Sequence, residues 1–136
     1  MKFSLSLIFL SLSSFIFSQT IEDSQTIIQE CIDLAELQQY LEPNEIDGNE
    51  TLIILNDGVL QTDLKLYKFG SPVKFMTKKV LFFNNIRAFL DFDEFEFSDS
   101  KANLEFHYNF EGLTILMTFE KTDNDWKIKS KKIFEK

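Results

Sequence analysis

The chain has 136 residues, of which 44% are hydrophobic, and carries 14 Lys and Arg against 22 Asp and Glu, for a net charge of −8. This acidic balance argues against nucleic acid as a partner. One cysteine excludes an internal disulfide, and one histidine excludes a metal centre built from several histidines.

The first 18 residues have the order of a secretory signal peptide. Lys2 precedes an apolar run that five serines interrupt, and Ser18 is a small residue at a suitable cleavage point. A transmembrane helix normally needs about 20 mostly apolar residues, which neither this run nor any later one supplies. We therefore predict a signal peptide at residues 1–18, a single domain at residues 19–136, and a secreted or periplasmic protein without stable membrane insertion. An uncleaved anchor is the alternative.

The segment from Thr20 to Asp23 has the pattern of a capping box and predicts the start of an amphipathic helix. We expect this helix to run to Glu42, because Pro43 ends it. Its apolar residues recur at helical spacing and include Cys31, which we expect on the buried face. An intermolecular disulfide through this cysteine is the alternative.

Two-residue periodicity begins at Thr51 and predicts a β-hairpin whose strands flank Asn56-Asp57-Gly58. A short strand at 73–76 and a short helix between Thr77 and Arg87, with Thr77 as its cap, are predicted next.

The last third of the chain reads as a run of long antiparallel strands. Apolar alternation from Leu90 changes parity at Asp93-Glu94, which indicates a β-bulge, and turns are predicted at Glu111-Gly112 and at 122–125. The expected fold class is α+β, with the N-terminal helix packed on a curved antiparallel sheet.

The order of these elements, closing with FEKTDNDWKIKSKKIF, is similar to the NTF2-like superfamily, whose curved sheet wraps helices into a cone. The segment from Asp125 to Ile128 resembles the acidic turn, tryptophan, basic and aliphatic residues of its last hairpin. Cystatin-like folds are the rival, although the Gln-x-Val-x-Gly loop of inhibitory cystatins is missing. The resemblance implies an isomerase, a dehydratase or a non-catalytic binding domain, and it assigns no catalytic residue here.

Apolar residues of the last strands share the strand face predicted to be inside, where they either fill the core or line a pocket for a small apolar ligand. The ligand-binding candidates are Phe92, Phe106, Tyr108, Phe110, Met117 and Phe119.

Polar residues on the opposite face include a run of carboxylates from Asp91 to Asp99 and the single histidine, His107. Clustered carboxylates can hold calcium, and a histidine can act as a general base. Alternation on a solvated strand face explains both features, so we predict no catalytic residue, no metal and no cofactor.

The sequence thus favours an exported, non-catalytic binding or accessory domain. Its partner is either a small apolar ligand or a protein, and the oligomeric state is left open. A small NTF2-like hydrolase or isomerase and a protein-interaction module are the alternatives.

The export hypothesis predicts that the protein released by its host begins at Gln19. Intact-mass measurement and N-terminal sequencing check this, with allowance for cyclisation of the glutamine. A membrane-bound form that retains Met1 would contradict it.

Overall fold

The structure, a computed structural model, describes residues 21–135. The predicted signal peptide and the capping residue Thr20 lie outside the described residues. Within residues 21–135, no helix is both long and apolar enough to cross a bilayer.

The fold is α+β, as predicted. Helix α1 covers residues 21–32, a 3-10 helix follows at Ala35–Leu37, and helix α2 is Lys78–Phe83. The strands are β1 (Asn44–Ile46), β2 (Asn49–Thr51), β3 (Ile53–Leu55), β4 (Tyr67–Lys68), β5 (Ser71–Pro72), β6 (Lys74–Met76), β7 (Leu90–Phe97), β8 (Lys101–Tyr108), β9 (Leu113–Thr122) and β10 (Asp125–Glu135).

Six strands form one mixed sheet in the order β10-β9-β8-β7-β3-β6. Strands β7 to β10 make the predicted antiparallel meander, and its register shifts between Phe92 and Glu94, which confirms the predicted bulge. The sheet is not wholly antiparallel, because β3 pairs in parallel with both β6 and β7.

The predicted hairpin around Asp57-Gly58 is wrong. Strand β3 ends at Leu55, and the following chain has no strand before β4. The edge of β3 is taken by β6, since the Asn56 N–H donates to the Met76 carbonyl at 2.8 Å and the Lys74 N–H donates to the Leu52 carbonyl at 3.1 Å. The apolar residues of the intervening loop, which suggested a strand, are buried in the core instead: Leu60, Leu64 and Leu66.

Helix α1 is shorter than the predicted helix to Glu42. Leu34 adopts an extended conformation with φ −54° and ψ 125°, which interrupts the helix. The side-chain amide of Gln38 donates to the carbonyls of Ile32 at 3.0 Å and Leu34 at 2.8 Å. The Gln38 amide thus caps the Ile32 carbonyl at the end of α1, and it adds a second donor to the Leu34 carbonyl, which also accepts the Leu37 N–H at 3.0 Å.

Helix α1 and the inner face of the meander share one hydrophobic core. Phe92 and Phe106 are stacked there with ring centroids 4.7 Å apart, and Trp126 is buried in the same core. Cys31 is fully buried on the helix face, as predicted, and burial raises the pKa of its thiol.

Helix α2 has the predicted cap, because the Thr77 hydroxyl accepts the Val80 N–H. It lies in the connection from β6 to β7, the two strands that flank β3. Ile53 of β3 and Leu81 of α2 are both buried, and neither belongs to the main core cluster.

Two core truncations should therefore cost far more stability than a change at the neighbouring histidine. Phe106→Ala and Trp126→Ala should each lower the free energy of unfolding by about 3–5 kcal/mol, through lost transfer energy and the cavity that remains. His107→Ala should cost about 1 kcal/mol or less, because this side chain lies on the partly solvated outer face. The denaturant midpoints of the three variants measure these changes in stability. If His107→Ala proved the most damaging, His107 rather than Phe106 would face the core.

Candidate functional site

The ligand-binding candidates from the sequence fall into two groups. Five of the six are buried with 1% exposure or less, and Phe110 is 51% exposed. The Tyr108 and Phe110 rings lie 6.4 Å apart at the end of β8. Of four well-defined surface cavities among residues 21–135, none is lined by any of the four phenylalanines in the set, whereas Met117 lines one and Tyr108 another.

Tyr108 has a structural partner for its polar atom. Its hydroxyl oxygen accepts the backbone N–H of Glu42 at 2.8 Å. Desolvation raises the pKa of the phenol, with the Glu42 and Glu111 charges adding to the effect and the hydrogen bond from Glu42 opposing it. The bond fixes the chain that follows the 3-10 helix against the end of β8.

The largest of these cavities, of about 600 Å³, is a groove beside α1. One side is the polar face of α1 and the 3-10 helix, and the other sides come from the chain before β4 and from β10. We call it the α1 groove, and its lining residues are Gln25, Thr26, Gln29, Glu30, Asp33, Leu34, Ala35, Glu36, Lys65, Ile128 and Lys131.

Two glutamines on successive turns of α1 hold one wall in place. The Gln25 side-chain oxygen accepts the Lys65 N–H at 2.8 Å. The Gln29 amide accepts the Tyr67 N–H at 3.1 Å and donates to the Tyr67 carbonyl at 2.9 Å, as a neighbouring strand would. Sequence reasoning missed this clamp, whose one signal was a pair of glutamines four residues apart on the polar helix face.

A second β-bulge shapes the opposite wall. The β9–β10 register shifts between Ile128 and Ser130, so Lys131 lies opposite Met117, on the core side of the sheet. There its ammonium pairs with Glu36 at 2.7 Å. Asp33 is paired with Lys68 at 3.2 Å, whereas Glu30 makes no ion pair with any residue from 21 to 135.

A cluster of carboxylates around His107 occupies the outer face of the meander. Asp91 is the direct cross-strand partner of His107. The bulge places Asp93 against the histidine Nε2, while Nδ1 lies 2.9 Å from the Thr114 hydroxyl. Ligand atoms of Asp93, Glu105 and His107 all lie within 4.8 Å of one another.

This carboxylate–histidine cluster resembles a catalytic triad in its residue types but not in its accessibility. A nucleophile must reach its substrate, and Thr114 is only 3% exposed. Both imidazole nitrogens already have partners, so coordination of a metal by His107 would require one of them to be released. His107 lies on the predicted outer face, but it is half-buried and held by its neighbours.

Asp91 is the perturbed carboxyl of this cluster. The pKa of Asp91 is raised to about 6 by desolvation, by contact with the Asp57 carboxyl and by the negative charge of Asp93. The charge of His107 acts in the opposite direction and lowers this pKa. Its Oδ1 atom is buried without a hydrogen-bond partner. Protonation of Asp91 would remove the charge from this poorly solvated carboxyl group.

No protein-family model matches the chain, and no curated protein or solved structure matches it significantly. The NTF2-like and cystatin-like resemblances therefore stay predictions.

The raised pKa of Asp91 predicts a pH-dependent penalty. The ordinary pKa of 3.8 holds in the unfolded chain, so between this value and about 6 the folded state binds more protons and wild-type stability falls as pH rises. Asp91→Asn should therefore be more stable than wild type at neutral pH by about 1 kcal/mol, after allowance for solvent screening of this partly exposed group.

Denaturant unfolding at a series of pH values from acidic to neutral measures the difference, which should shrink as the pH falls towards 4. Asp63→Asn, in the exposed loop before β4, is the control for loss of one charge. A difference that stays constant with pH, or an Asp91→Asn variant that is less stable than wild type at neutral pH, would contradict the assignment.

Proposed function

We propose that the protein is an exported, non-catalytic binding domain that holds a short peptide segment of its partner in the α1 groove. The observation that carries the proposal is a groove of about 600 Å³ whose walls are fixed by side-chain hydrogen bonds and ion pairs. Binding sites of this size are commonly formed before the ligand arrives.

Support also comes from the state of the core. An apolar ligand inside the sheet would need space among the inner aromatic residues, but Phe92 and Phe106 are stacked and Phe119 is 1% exposed. Packed side chains of this kind leave no room for a guest without a costly rearrangement. Surface binding is the alternative that requires no such opening.

The lining of the groove favours a peptide over an apolar small molecule. Small-molecule pockets are mostly apolar, whereas this floor of Leu34, Ala35 and Ile128 is bordered by amides, carboxylates and ammonium groups. Mixed polarity of this kind is typical of protein–protein contacts. Because Glu30 is exposed and lacks an ion pair within the described chain, we expect the peptide to place a Lys or Arg beside it.

Selection from a random heptapeptide library on the immobilised exported protein tests the proposal. Selected peptides should contain a basic residue and bind with micromolar affinity. Ala35→Trp fills the groove from an exposed position and should weaken these peptides at least about tenfold, which corresponds to about 1.4 kcal/mol.

Thr62→Trp places the same indole at an exposed loop position that does not line the groove and should leave affinity unchanged. Glu30→Gln should weaken the basic peptides while leaving the fold intact. Peptides that bind Ala35→Trp as tightly as wild type, or a library that yields no enriched sequence, would overturn the proposal.

A further inference from the structure

Helix α2 presents two phenylalanines and two lysines to solvent on one face. Phe82 is 79% exposed and Phe83 is 71% exposed, with ring centroids 6.1 Å apart. Lys78 and Lys79 precede them by four residues each, so each lysine lies one helical turn from a phenylalanine. Leu81 points the other way and is buried. We call the exposed side chains of Lys78, Lys79, Phe82 and Phe83 the α2 tip.

The α2 tip belongs to a segment whose charge opposes that of the whole chain. Residues 64–90 contain six Lys and Arg and no Asp or Glu, in a protein with a net charge of −8. Within the described chain, neither lysine of the tip nor the nearby Arg87 makes an ion pair. The cations of the tip are therefore available to an external anion.

We propose that the α2 tip docks the protein on an anionic lipid surface, with the two phenyl rings inserted below the headgroups and the lysines at headgroup level. Exposed aromatic rings beside basic side chains are the combination that binds a bilayer interface. Lysine stems can lie along apolar surface while their ammonium groups stay among the phosphates. The docking is peripheral, and it is independent of the α1 groove.

The small size of the tip favours lipid over a protein partner. The large exposed apolar side chains of α2 are Phe82, Phe83 and the 40% exposed Val80, all within one helix of six residues. A stable protein interface uses about 20–30 residues a side with matched shapes, whereas a bilayer accepts protruding rings without a complementary surface. The positive charge also matches an anionic headgroup layer and keeps the acidic remainder of the protein away from it.

Co-sedimentation of the exported protein with vesicles tests the proposal. The protein should pellet with vesicles of equimolar phosphatidylcholine and phosphatidylglycerol, and it should stay in solution with phosphatidylcholine alone. Binding should weaken as salt rises, because exposed charges are screened. Lys78→Glu/Lys79→Glu should reduce the partition coefficient at least about 20-fold, and Phe82→Ser/Phe83→Ser at least about tenfold.

Matched control variants distinguish vesicle binding by the α2 tip from binding by positive charge or exposed rings elsewhere on the protein. Lys127→Glu/Lys132→Glu makes the same charge change on β10, and Phe110→Ser/Phe134→Ser removes two other exposed rings. Both should bind vesicles like wild type, and emission from the buried Trp126 verifies folding. Any of three results would overturn the proposal. The wild-type protein could fail to pellet with anionic vesicles, the control variants could lose as much vesicle binding as the tip variants, or α2 could mediate self-association in place of lipid binding.

Discussion

The burial of one face of the meander beneath α1 is the interaction on which the rest of the structure depends. Strands β7, β8 and β9 place their large apolar side chains on one side, and that side cannot remain in water. The apolar stripe of α1 covers it, and Lys121 of β9 pairs with Asp23, in the first described turn of the helix, at 3.4 Å. When α1 packs on the sheet, its polar side faces the chain before β4 and the edge of β10. The same packing that buries the core therefore also forms the α1 groove.

Two β-bulges convert this regular sheet into one with distinct sites. The bulge in β7 leaves Asp93 without a direct cross-strand partner, and its carboxylate contacts His107. The bulge in β10 reverses the parity of the strand, so that Lys131 and Ile133, rather than Ser130 and Lys132, lie opposite the inward-facing residues of β9. An extra residue thus re-aims the side chains that follow it. Both polar clusters described for this protein owe their geometry to such a position.

The parts of the fold that local sequence patterns determine could be predicted, and the parts set by distant backbone contacts could not. The bulge at Asp93 is visible because Leu90 and Phe92 differ in parity from Phe95 and Phe97. The bulge in β10 cannot be recognised from the sequence. Ile133 indicates the parity that follows the bulge, but the adjacent Phe134 continues the parity of Trp126 and Ile128 that precedes it. The parallel pairing of β3 depends on partners 20 and more residues away, and the glutamine clamp depends on backbone groups 38 and 40 residues away. Neither leaves a periodic signal in the sequence.

The two proposed surfaces lie at opposite edges of the sheet, and this arrangement makes them compatible. The α1 groove opens between β10 and the chain before β4, whereas α2 follows β6, and five strand spacings of about 4.8 Å separate β10 from β6 by about 24 Å along the sheet. Residues 64–90 carry only basic charges and residues 19–63 contain eleven acids and no Lys or Arg, although Lys65 of the basic segment and Lys131 of β10 both line the groove. An anionic surface would attract the α2 edge and repel the acidic remainder. A protein docked in this way would therefore keep the α1 groove in solvent, where a peptide segment of a partner could reach it.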